Sequence, residues 1–162
     1  MELKTKNPPN ETMLKVNKLD LFVGKWTMEG QQYKGSFGPA APINTEQTYE
    51  WLEGGLFLIH RLKGSVGNQT IACIEIISYD ESSNSYPTHA FYNDGKTNEW
   101  INHELNGIWT LTGDSQAGGK PIKVRCTSTF SNHEKTMTGK WEQLSEGGQW
   151  ETFWDVKTIK VK

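Results

Sequence analysis

Charge of one sign, long apolar runs and paired cysteines are all missing from this sequence. Seventeen Lys and Arg face nineteen Asp and Glu, for a net charge of −2 and a pI near 6.1. No basic surplus exists for a dedicated nucleic-acid binder. No apolar stretch approaches the roughly 20 residues a membrane span needs. The first twelve residues, MELKTKNPPNET, hold no apolar core of a secretory leader, so a cytoplasmic protein is expected. The two cysteines, Cys73 and Cys126, stand 53 positions apart in strand-like runs. Neither belongs to a Cys-x-x-Cys pair, so two buried thiols are expected, with no disulfide and no thiolate zinc site. Phosphate-cradling, dinucleotide and Gly-x-Ser-x-Gly motifs are also absent.

What the sequence does have is aromatic mass and turn residues. Its 162 residues are one domain's worth. Only 35% are apolar, but seven Trp, six Phe and five Tyr supply large burial per residue. Residues 1–12 are polar, contain Pro8-Pro9 and read as a tail, leaving 13–162 as the folded domain. Thr12 is placed to cap a short helix through Phe22, with Met13, Val16, Leu19 and Phe22 on one face. Ten strands then follow, beginning at Gly24, Thr45, Leu56, Gln69, Tyr86, Thr97, Ile108, Ile122, Lys135 and Gln149. Between them lie Gly54-Gly55, Asn93-Asp94-Gly95, Asn106-Gly107 and Gly147-Gly148. Asn-Gly is a strong hairpin signal, because both residues accept positive φ. The Gly- and Pro-rich segment Gly35–Asn44 is longer and reads as a lid over an opening. An antiparallel meander of about ten strands would expose two edges, and closure into an up-and-down barrel removes them. A β-sandwich is the alternative.

Particular runs carry a resemblance. Gly24-Lys25-Trp26 after a helix is similar to the Gly-x-Trp opening strand of lipocalins and other calycins. YEWLEGGLFLIHR (49–61), EIISYD (75–80), TFSNHEKTMTGKWE (129–142) and the Trp-x-x-x-Trp-Asp ending (150–155) resemble a bacterial family of lipocalin-like proteins of unknown function. The resemblance covers roughly residues 18–160 and implies a calycin barrel with a lumen. In lipocalins an Arg packs on the Gly-x-Trp tryptophan at the closed end, which makes Arg125 the counterpart expected for Trp26.

Alternate side chains of a barrel strand point inward. Pairing strands across the turns sorts the polar groups onto two faces. One carries Ile59, Arg61, Ile74, Ile76, His89, Phe91 and Trp100. The other carries Tyr49, Leu58, His60, Leu62, Cys73, Glu75, Ile77, Tyr92 and Glu99. The first is the more continuously apolar and is expected to line the lumen. At the C-terminal strands, Arg125, Thr127 and Thr129 group with Trp141 and Trp154.

The function expected is binding of a small, mostly apolar molecule in the lumen. Its contacts would come from Trp26, Arg61, Phe91, Trp100, Arg125, Trp141 and Trp154. An enzyme is the alternative, with His89 or His60 as general acid/base, the latter beside Glu75 or Glu99, and an Arg stabilising an anion. A filled barrel acting through its surface, with a homodimer as its form, is the third reading. The four histidines show no metal-ligand spacing. A haem, which needs one axial His, is the cofactor left open.

Overall fold

The computed structural model describes residues 10–162. Most of the expected tail, residues 1–9, lies outside them. Helix α1 (Glu11–Asn17) starts two residues earlier than Thr12 suggests, because Asn10 is the cap: its Oδ1 accepts from the Met13 N–H at 2.8 Å. The chain then tightens into a 3₁₀ turn, Lys18–Phe22. Val16, Leu19 and Phe22, spaced by three, are the buried residues of this segment.

Ten antiparallel strands follow: β1 (Gly24–Gln32), β2 (Ala41–Trp51), β3 (Leu58–Val66), β4 (Gln69–Ile77), β5 (Tyr86–Tyr92), β6 (Thr97–Leu105), β7 (Ile108–Ala117), β8 (Lys120–Ser131), β9 (Thr136–Leu144) and β10 (Trp150–Lys160). Each pairs with its sequence neighbours, and β1 pairs with β10, so the sheet closes into a barrel. The sandwich alternative is thereby excluded. Closure gives every strand two partners and leaves no edge.

Two glycines explain details of the closure. Gly24 (φ +135°) sits where a Cβ would meet the Lys162 carbonyl oxygen at 2.5 Å, which makes the Gly of Gly-x-Trp a seam residue. Gly113, which reads as a strand end in the sequence, lies inside β7. Its missing Cβ would stand 2.5 Å from the Trp100 ring, so the glycine lets the indole lie against the wall. The true turn comes at Gly118-Gly119, both with positive φ. β2 likewise begins at Ala41, so the lid is confined to residues 33–40.

Odd-numbered strands run away from the helical segment and even-numbered strands return, which gives the barrel two unlike ends. At one end Leu19 and Phe22 plug the opening. They pack with Trp26, Tyr49, Leu58, Ile77, Tyr86 and Trp109 in one buried cluster. The barrel also grips the plug's backbone: Trp26 Nε1–H donates to Phe22 O (2.6 Å), Tyr86 OH to Lys15 O (2.8 Å) and Lys160 Nζ to Leu21 O (3.2 Å). At the other end a second cluster is built from Ala90, Trp100, Val124 and Phe153, with Phe37, Tyr92, Trp141 and Trp154 packed against it.

Candidate functional site

The lumen is lined by the face that reads as the less apolar. In β3 and β4 the inward residues are Leu58, His60, Leu62, Cys73, Glu75 and Ile77. The expected lining is therefore corrected. Arg61 points outward, half exposed, and pairs with Glu50. Phe91 is 49% exposed, on an outer groove between β1 and β5. His89 lies outside as well, its side chain 55% exposed and 3.4 Å from Glu99.

Two physical reasons account for the reversal. β-branched and aromatic residues suit a pleated strand whether or not it is covered, so Ile59, Ile74 and Ile76 accumulate on the outer wall. Polar residues, for their part, are buried at little cost where they satisfy one another. A one-residue slip at the Asp94-Gly95 hairpin adds to this. Trp100 stands opposite Thr88, not His89, so Trp100 points inward and Glu99 outward.

Arg125 is also corrected. It sits on the outer face of β8, 2.8 Å from Glu142 and 4.2 Å from the Trp150 ring centre. The cation over Trp26 is Lys160, 4.7 Å from the ring centre on the strand directly opposite. Trp26 itself is inside but 1% exposed within the plugged cluster, so it serves packing. Trp100, Trp141 and Trp154 line the other half of the lumen. They meet edge to face, with Trp100 and Trp141 centroids 6.2 Å apart and Trp141 and Trp154 6.1 Å apart.

A polar chain crosses the lumen between the two aromatic clusters. His60 Nδ1 lies 2.7 Å from Glu75 Oε2, and His60 Nε2 lies 3.0 Å from Gln47 Oε1. Gln47 Nε2 donates to Thr45 Oγ1 (3.1 Å) and faces Met28 Sδ, so its carbonyl oxygen is the acceptor. His60 Nε2 therefore donates to Gln47, and His60 Nδ1 faces Glu75 in a second hydrogen bond. Tyr49 stacks flat on the imidazole at 4.0 Å. With both nitrogens hydrogen-bonded, His60 has no lone pair free for an iron. His60 and Glu75 side chains are 7% and 15% exposed.

Burial shapes the neighbouring acids. It pushes the Tyr49 hydroxyl well above its usual value, with help from the Glu75 charge. Burial, then Glu75, pushes the Cys73 thiol up to about 12. Burial also raises Cys126, on the far wall, to about 12, opposed by its hydrogen bond with Ser128 and helped by the charges of Glu142 and, least, Glu75. Tyr92 is raised as well, again chiefly by burial and then by Glu75.

Above this chain the burial of the lumen is incomplete. Leu62, Ile71, Cys73, Tyr92, Leu111, Ile122, Trp141 and Trp154 point inward and yet are only half-buried. Residues 33–40 fold over part of this mouth. Phe37 stacks on Phe153 at 4.3 Å, Gln32 Nε2 donates to Pro39 O (2.8 Å), and Gln143 Nε2 donates to Ser36 Oγ (3.3 Å). A bulge between Thr152 and Trp154 turns both Phe153 and Trp154 inward. The Trp100 indole N–H is turned toward the Tyr92 hydroxyl without closing a hydrogen bond, and Gln143 Oε1 has no partner.

Gln47, Phe37 and Phe153 were not singled out by sequence reasoning. His60 beside Glu75 is the alternative pair that the sequence offered, and the structure brings those two together.

Fold and site together define a class: a ten-strand closed barrel, stoppered at one end by its own N-terminal segment, with a buried His–Glu pair beneath an aromatic mouth. The chain belongs to the DUF1579 family of proteins of unknown function, whose sequence profile matches residues 15–158. No curated protein matches the chain. No helix among the described residues is long and apolar enough to cross a membrane.

Proposed function

We propose that the barrel binds a small, mostly apolar molecule in the open half of its lumen, as its lipocalin-like character implies. The observation that carries this reading is the contrast in burial among inward side chains. The plugged-end cluster is sealed, whereas at the lidded end Leu62, Tyr92, Trp141 and Trp154 remain half-buried around the sealed Ala90, Trp100, Val124 and Phe153. Aromatic walls with a few polar groups at the base are the usual chemistry of a binding pocket. A closed sheet holds those walls in place, so little ordering entropy is spent on binding.

Native mass spectrometry of freshly purified protein, set against its denatured mass, tests the proposal. A reproducible adduct is expected. A bare mass that stays bare after incubation with cell extract contradicts it.

The enzymatic reading keeps one specific support, the His60–Glu75 pair, which replaces His89 as the candidate acid/base. Both nitrogens of His60 are already engaged, which favours holding a ligand over taking its proton. Recovery of the adduct chemically unchanged after prolonged incubation supports carriage, and its conversion supports catalysis.

A further inference from the structure

We propose that the molecule taken by the open half is a cationic amine: an apolar body carrying an ammonium group, held by the aromatic rings and the Glu75 carboxylate. This rests on the lumen-binding reading above and names its ligand class. The two arginines of the chain, Arg61 and Arg125, both lie on the outer wall, each with its own glutamate. None of the inward positions between the strand tips of the open half is arginine or lysine. An anion entering there would meet Glu75 with no counter-charge, and buried charges persist only when paired.

A cation meets the opposite situation. Trp141, Trp154 and Tyr92, half-buried at the open end, offer ring faces whose quadrupoles attract positive charge, most strongly once water is excluded. The acceptors at hand, Glu75 and the unpartnered Gln143 Oε1, call for a ligand that donates, and the unpartnered donor there, the Trp100 indole N–H, is already turned toward the Tyr92 hydroxyl.

The His60–Glu75 pair orients the carboxylate: Oε2 lies 2.7 Å from His60 Nδ1, which leaves Oε1 for the ligand. The titratable groups facing the pair are Tyr49 from β2, Cys73 from β4, Tyr92 from β5 and Cys126 from β8. Burial holds all four neutral at ordinary pH. Beyond Cys126, Glu142 is turned outward onto Arg125.

The test is a tryptophan-fluorescence titration of the full chain with three matched probes: decylammonium, 1-decanol and decanoate. Decylammonium is expected to bind at least about tenfold tighter than 1-decanol, which corresponds to about 1.4 kcal/mol, with decanoate the weakest. Glu75→Gln removes the ammonium preference and keeps 1-decanol binding; Phe91→Ser, on the outer wall, leaves all three unchanged. If decanoate binds as tightly as decylammonium, the ligand class is wrong and the lumen reading stands. If none of the three binds and the native mass is bare, the lumen reading itself falls. Should Glu75→Gln fail to fold, the ranking of the three probes on the unaltered protein decides: 1-decanol binding as tightly as decylammonium overturns the ammonium preference.

Discussion

The two ends of the barrel are built from the same ten strands and much the same residue types, and they do opposite things with them. At the plugged end Trp26, Tyr49, Tyr86 and Trp109 close around Leu19 and Phe22, and all six are buried. Each aromatic there has a partner on the chain itself: Phe22 meets Trp109 at 5.0 Å and Tyr49 at 5.5 Å. At the open end Trp141, Trp154 and Tyr92 stay half-buried, and the lid contributes one ring, Phe37, to the mouth. The difference is the plug. An internal occupant fixes one half of the lumen and turns its aromatic area into stability, at about 25 cal/mol per Å² removed from water. In the other half Trp141, Trp154 and Tyr92 keep part of their area exposed.

That contrast can be broken most forcefully at Trp26. Trp26→Ala is expected to cost about 3–5 kcal/mol in urea melts, as other buried aromatic truncations do. Trp141→Ala should cost about 1 kcal/mol, because its ring is already partly solvated. Equal losses at the two sites would mean the two ends are packed alike.

The cysteines sharpen the comparison kinetically. Burial raises both thiols to about 12. At pH 8 the thiolate fraction is then on the order of a thousandfold below that of an ordinary cysteine. Cys73, half-buried on the open lumen wall, should still be alkylated slowly by iodoacetamide in the native state. Cys126, buried against the opposite wall, should react only in step with global unfolding. Intact mass against time distinguishes the two, and equal labelling rates would contradict it.

A smaller effect lies at the plug's rim. Burial pushes the Glu104 carboxyl up, but the Lys18 ammonium and the Gly107 N–H outweigh this and leave it below its usual value. A carboxyl lowered by folding stabilises above its unfolded value, near 4.3, and loses that contribution as pH falls through the folded value. Glu104→Gln should therefore flatten the stability drop below about pH 4.5 by roughly 0.5 kcal/mol, after allowing for Lys18's exposure to solvent. An unchanged acid limb in pH-dependent melts would show that the ion pair does not hold the plug.

The fold was largely legible in the sequence and the face of the sheet was not. Turn chemistry marked the strands: Asn106-Gly107 and Gly95 adopt the positive φ their positions suggest. The three-residue spacing of Val16, Leu19 and Phe22 marked the plug. The lumen was misplaced because apolar content is a poor guide to burial when the inside holds a self-satisfying polar chain. His60, Gln47 and Glu75 partner one another across three strands, and no local pattern shows that. Gly113 misled for a similar reason: its role is set by Trp100 on the neighbouring strand. Lys160 took the place expected of Arg125 because closure brings the last strand, not the eighth, beside Trp26.

The most direct test of the packed-and-open account needs no ligand. The chain has seven tryptophans, hence seven indole N–H signals, and their exchange with D₂O can be followed by ¹⁵N NMR. Trp26, bonded to Phe22 O inside the plugged cluster, should exchange only on the timescale of global unfolding. Trp141, half-buried at the open end, should exchange orders of magnitude faster under the same conditions, with Trp154 between the two because its N–H is bonded to Gln32 Oε1 at 2.8 Å. If Trp141 proves as protected as Trp26, the barrel is filled from end to end and has no room for a guest.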